Sequence, residues 1–147
     1  MVYIRTDANE KIATGHVMRC LTIAEEIIQL KEKVCFVVSS EVSVPLIKER
    51  NFEIIITNTQ WDDTDIEYEF NLLSNYAEKG DVLLVDSYFL TSEYLLRMRK
   101  IFCVAVFDDM FAEKKMADII INYNIFYEFQ LKNGVIVKIY KSSNFIV

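Results

Sequence analysis

The 147-residue sequence has one histidine, three glycines and three cysteines, and its 16 basic side chains are outnumbered by 22 acidic ones. Each shortage excludes something. A formal net charge of -6 leaves no basic stripe of the kind that neutralises a phosphate backbone, so neither nucleic acid nor an anionic membrane is expected as a partner. Cys20, Cys35 and Cys103 are odd in number and lack a CxxC spacing, which suits small buried thiols within apolar segments rather than a disulfide framework or a zinc site. No apolar run approaches the roughly 20 residues that span a bilayer. The opening Met1-Val2-Tyr3-Ile4-Arg5-Thr6-Asp7 does not have the form of a secretory signal, and a cytoplasmic protein is expected. Neither a Walker A motif nor GxGxxG occurs, and no internal repeat, low-complexity tract or interdomain linker is visible.

What is present is a hydrophobic fraction of 52%, ample for a core in one domain. Six short runs rich in β-branched and aromatic residues read as strands: Val2 to Arg5, Val34 to Val38, Phe52 to Ile56, Val82 to Val85, Phe102 to Phe107 and Ile119 to Ile121. Most are apolar throughout rather than alternating, as strands covered on both faces should be. Between the first two, Val17, Leu21, Ala24 and Ile28 recur at helical spacing. Weaker helical patterns cover about 44–50, 66–77, 91–100 and 111–115. Strand and helix alternate, which predicts an α/β, Rossmann-like three-layer sandwich with a mainly parallel sheet over residues 1–124. Residues 125–147 break the pattern: Asn133-Gly134 is a hairpin-turn signal, and a C-terminal hairpin or tail is expected there.

In open α/β sheets ligands bind beyond the carboxyl ends of the strands. The loops after the predicted strands carry Arg5 with Asp7, Thr14-Gly15-His16, Ser39-Ser40, Asp86-Ser87-Tyr88, Asp108-Asp109, and Asn122 with Asn124. Gly15 falls where a loop turns into the first helix, so backbone N–H groups there could approach a phosphate or a sugar oxygen; Thr14 as a plain N-cap is the competing explanation. His16 lies in the first turn, where the helix dipole disfavours the imidazolium, and a neutral ring would be a candidate general base. Arg19 and Cys20 follow on the same helical side, where Arg19 could meet an anionic substrate, Glu25 or solvent. Tyr88 could hydrogen-bond a substrate or pack over the sheet end, and Asp86 could cap a turn. Asp108-Asp109 could bind a divalent ion or cap a helix, and no metal site is expected. The acidic run Asp62, Asp63, Asp65, Glu67 and Glu69 reads as a solvated helix start.

Taken together, Ile4-Arg5-Thr6-Asp7 and Ile12-Ala13-Thr14-Gly15-His16-Val17-Met18-Arg19-Cys20-Leu21 resemble the opening of the UDP-sugar hydrolases of pseudaminic acid biosynthesis and the related spore-coat polysaccharide proteins. Leu84-Val85-Asp86-Ser87-Tyr88, Phe107-Asp108-Asp109 and Ile120-Ile121-Asn122 resemble later segments of that family, in the same order. The resemblance implies the N-terminal half of a B-type glycosyltransferase-like fold, facing a second Rossmann-like domain. It implies removal of UDP from a 2,4-diacetamido-2,4,6-trideoxy hexose by water attack at the anomeric carbon, without metal or cofactor. It makes His16 the residue that activates water and Tyr88 a substrate contact, with Arg5, Asp7, Thr14, Gly15, Arg19, Asp86, Asp108 and Asn122 around the substrate. Ala13 and Phe89 stand where glycine is expected. Without a second half, for which a separate polypeptide is a candidate partner, the chain is expected to be weak or inactive, and a bared apolar face could favour a homodimer. A glycosyltransferase half that deprotonates an acceptor hydroxyl, and a non-catalytic assembly module, are the alternatives.

Overall fold

The structure is a computed structural model that describes residues 1–9, 11, 13–107, 116–121 and 136–137. Strands β1 (Val2–Thr6), β2 (Val34–Val38), β3 (Glu53–Ile56), β4 (Val82–Asp86), β5 (Cys103–Phe107), β6 (Ile119–Ile121) and the two-residue β7 (Ile136–Val137) form one sheet in the order β3-β2-β1-β4-β5-β6-β7. Every pairing is parallel. The first six strands thus have the doubly wound order, and the chain reverses its direction of travel across the sheet between β1 and β4. Helices α1 (Gly15–Gln29), α2 (Val44–Lys48), α3 (Ile66–Ser74) and α4 (Ser92–Met98) connect them, with one turn of 3-10 helix at Glu41–Ser43 before α2.

The alternation of side chains along each strand divides the interior in two. Ile4, Phe36, Val38 and Leu84 pack with Val17, Cys20, Leu21 and Ala24 of α1 and Ile47 of α2. Tyr3, Val37, Leu83 and Val85 pack on the other face with Leu73 of α3 and Tyr94, Leu95 and Met98 of α4. The three-layer α/β arrangement expected from the uninterrupted apolar strands is what forms. Cys20 and Cys35 are buried free thiols, but Cys103 is exposed, because it opens β5 at the end of the sheet instead of lying in its middle. No helix among the described residues is long and apolar enough to cross a membrane. The predicted helix at 111–115 and the first arm of the predicted hairpin lie outside the described residues, while Ile136–Val137 from its second arm pairs in parallel with β6.

The acidic run before α3 divides by the helical period. Asp65 is the N-cap and its side chain accepts from Tyr68 N–H at 3.0 Å, and exposed Glu67 pairs with Arg97, as a solvated helix start requires. Glu69, one turn in, is fully buried, which corrects its reading as a solvated residue. Its Oε1 accepts from Arg5 Nε at 2.6 Å and from the Tyr94 hydroxyl at 3.3 Å. Arg5 in turn pairs with Asp7, whose other oxygen accepts from the Ser39 N–H at 2.7 Å. This network ties β1 to α3, α4 and the end of β2 through charges withdrawn from water. Burial pushes the Glu69 carboxyl above its ordinary value, and the charge of Arg5 draws it back only in part. Truncating one member leaves the other charge buried without its partner. Glu69→Ala is therefore expected to cost about 3 kcal/mol in urea denaturation, whereas Glu67→Ala at the exposed pair should stay within about 0.5 kcal/mol.

Candidate functional site

Strand register places the site. Thr6 at the end of β1 pairs with Asp86 at the end of β4, so the last residues of the two strands flanking the switch point lie side by side. The chain leaving β1 returns as α1, whose first turns come down over Asp86. The aspartate is 2% exposed. Its Oδ1 lies 2.7 Å from His16 Nδ1 and accepts from Arg19 Nη2 at 2.5 Å, and its Oδ2 accepts from Arg19 Nε at 2.8 Å. Cys20 Sγ lies 3.4 Å from the same Oδ2. His16, Arg19 and Cys20 are spaced three and four apart on one side of α1, so a single carboxylate meets all three.

A carboxylate only accepts hydrogen bonds, so the contact with Asp86 requires the hydrogen of a neutral imidazole to be on Nδ1. Nε2 then keeps its lone pair, and no other described residue occupies it. Tyr88, 44% exposed, meets the imidazole edge to face, with ring centroids 4.6 Å apart and planes at 81°. His16 and Tyr88 therefore come together at the strand ends as the sequence suggested. Burial alone would raise the Asp86 carboxyl, but the hydrogen bonds from His16 and Arg19 and the charge of Arg19 outweigh it and hold the group below its ordinary value. The Cys20 thiol is pushed well up by burial and by Asp86, which keeps it protonated and unreactive.

Several candidate residues take different parts from those expected of them. Arg5 and Asp7 are interior members of the Glu69 network, at 0% and 4% exposure, and brace the strand ends. Asp86 is the buried anchor for His16. Arg19 donates to Asp86 and covers the Phe107 ring at 4.8 Å. Thr14 occupies the N-cap position of α1 without making a side-chain cap hydrogen bond. Gly15 is exposed, its φ is not positive, and a Cβ there would meet nothing within 4 Å, so neither backbone nor packing demands glycine. Asp108, Asp109, Asn122 and Asn124 lie outside the described residues.

Ala13, by contrast, has φ 53°, in the left-handed region that favours glycine, and its bridge to Asn9 fixes the bend of the β1–α1 loop. Among the described residues no three His, Cys, Asp or Glu side chains gather as a metal site would require. A scan against protein-family models finds no match to this chain, and a search of the curated proteins finds none either.

Two measurements check this geometry. Asp86 has a folded value below its unfolded one, so its stabilisation is complete above the unfolded value near pH 3.9 and is lost as pH falls through the lower folded value. The stability difference between wild type and Asp86→Asn should accordingly be flat near neutrality and shrink only below about pH 4, as read from urea midpoints across that range. Ala13→Gly should leave thermal stability unchanged or raise it, by up to about 1 kcal/mol, where a typical helical Ala→Gly change such as Ala24→Gly lowers it.

Proposed function

We propose that this chain is the N-terminal, sugar-side half of a nucleotide-sugar hydrolase, with His16 as general base. The observation that carries the reading is the Asp86–His16–Tyr88 arrangement at the switch point of a doubly wound sheet. The motif resemblance to UDP-sugar hydrolases supplies the substrate class. In this reading Asp86 accepts the Nδ1 hydrogen and fixes the ring, and Nε2 takes a proton from water. The oxygen of that water bonds to the anomeric carbon as the bond from that carbon to the diphosphate oxygen breaks, through an oxocarbenium-like transition state. UDP leaves with the bonding electron pair. Backbone N–H groups of the first turn of α1, beside the open space at Gly15, favour the negative charge that develops on the leaving group. Asp108 and Asn122 remain part of the proposed substrate set, and Tyr88 is its nearest phenol to the base.

The partners proposed are a UDP-linked diacetamido trideoxy hexose of surface-polysaccharide biosynthesis and a second Rossmann-like half that closes over the diphosphate. A cytoplasmic setting agrees with three free thiols. No metal or cofactor enters the step. Alone, the chain turns over slowly, since water reaches the leaving group from the open side.

The experiment is release of UDP from a UDP-linked acetamido sugar with no acceptor present, by the chain alone and with a candidate second half. His16→Ala and Asp86→Asn should each lower the rate by about 10²- to 10⁴-fold, the first by removing the base and the second by releasing its tautomer. A rate unchanged in His16→Ala removes the base assignment. Release that occurs only when a sugar acceptor is added makes the chain a glycosyltransferase half in which the same base acts on an acceptor hydroxyl.

A further inference from the structure

Next to the His16–Tyr88 pair is a second aromatic pair that the chemistry above does not use. Trp61 and Phe89 meet edge to face, with ring centroids 4.4 Å apart and planes at 88°. Lys11 Nζ lies 5.8 Å from the centroid of the Trp61 ring. Lys11 belongs to the loop after β1, Trp61 to the loop after β3 and Phe89 to the loop after β4. Three strand-end loops thus converge on one indole at the edge of the sheet where ligands bind in such folds. Neither ring belongs to either core: Phe89 is 40% exposed and Trp61 is half-buried. The pair is one residue from the base site, because Phe89 directly follows Tyr88.

We infer that Trp61 and Phe89 form a subsite for the sugar ring of the substrate beside the His16 site. The proposal rests on the nucleotide-sugar reading above. Its chemistry is that of a neutral polyol ring: an aromatic surface accepts the C–H face of a pyranose, and planar polar side chains beside it take the hydroxyls. Gln60, Asp62 and Asp63 flank Trp61 and are exposed. Charge decides which end of the substrate goes where. Lys11 brings one positive charge against the two negative charges of Asp62 and Asp63, so this loop repels a diphosphate and tolerates an uncharged ring. The base itself sits in the first turn of the 15-residue helix α1, whose positive end, open at Gly15, attracts an anion. The sugar ring is therefore assigned to Trp61 and Phe89, and the diphosphate to the first turn of α1 that carries His16.

Trp61 is the only tryptophan, so tryptophan emission, excited at the red edge where tyrosine does not absorb, reports this place alone. The full chain is titrated with N-acetylglucosamine, UDP-N-acetylglucosamine and UDP. Both sugar-bearing probes are expected to shift the Trp61 emission saturably, and UDP at equal concentration to leave it unchanged. Phe89→Ala should raise the dissociation constant for UDP-N-acetylglucosamine about fivefold or more, and Phe89→Leu less, while melting temperatures show both variants folded. An emission shift by UDP equal to that by the sugar probes overturns the proposal. So does silence of Trp61 toward every probe, or an unaltered dissociation constant in a folded Phe89→Ala variant. If the sugar probes shift Trp61 but no UDP is ever released, the subsite stands and the hydrolase reading falls. If UDP is released with Trp61 silent, the reverse holds.

Discussion

A single buried carboxylate organises the candidate site. Asp86 sits at the tip of β4 where the sheet changes direction, and it is withdrawn from water only because α1 brings two donors to it. Desolvation of an anion is costly, and the guanidinium of Arg19 with the imidazole of His16 offsets that cost. The consequence runs toward chemistry as well as stability: the same contact that satisfies the carboxylate fixes which nitrogen of His16 carries its hydrogen. A neutral ring then presents Nε2 as an acceptor beside Tyr88.

The second buried charge system does a different job. Arg5, Asp7 and Glu69, with the Tyr94 hydroxyl, lie on the α3 and α4 side of the sheet and connect elements far apart in sequence. Through Asp7 and the Ser39 N–H the network reaches the ends of β1 and β2, so its contribution is to hold β1, and with it the take-off point of the loop to α1, at a fixed position relative to α3. Two oppositely charged residues two positions apart, Arg5 and Asp7, therefore serve the scaffold, while Asp86, at the end of the neighbouring strand β4, serves the site. The difference is set by which face of the sheet each side chain points to and by which helix covers that face.

The fold was legible because its strands are apolar throughout, and a parallel sheet covered on both sides leaves no other pattern. His16 and Tyr88 were legible too, since position after a strand and at a helix start is local information. Partnerships were not. That Arg19 would turn to Asp86, 67 residues away, depends on the β1–β4 register, which no local spacing encodes. Glu69 looked like one more carboxylate in an acidic run, although its place one turn after the N-cap Asp65, with Phe70 and Leu73 packed against the core on either side, is a signal that it faces inward. Trp61 and Phe89 come from separate loops and met only when the loops were seen together. Ala13 in a left-handed conformation is the one place where local preference and backbone disagree, and it lies in the loop that delivers His16.

The central claim is that Asp86 holds the hydrogen of His16 on Nδ1 and leaves Nε2 free to accept a proton. Because His16 is the only histidine, long-range ¹H–¹⁵N NMR of the imidazole gives an unambiguous answer. At a pH where the ring is neutral, the account predicts a protonated Nδ1 and an unprotonated Nε2 in the wild type, with that preference lost in Asp86→Asn. A hydrogen on Nε2 in the wild type, or a tautomer indifferent to the Asp86 substitution, would contradict it.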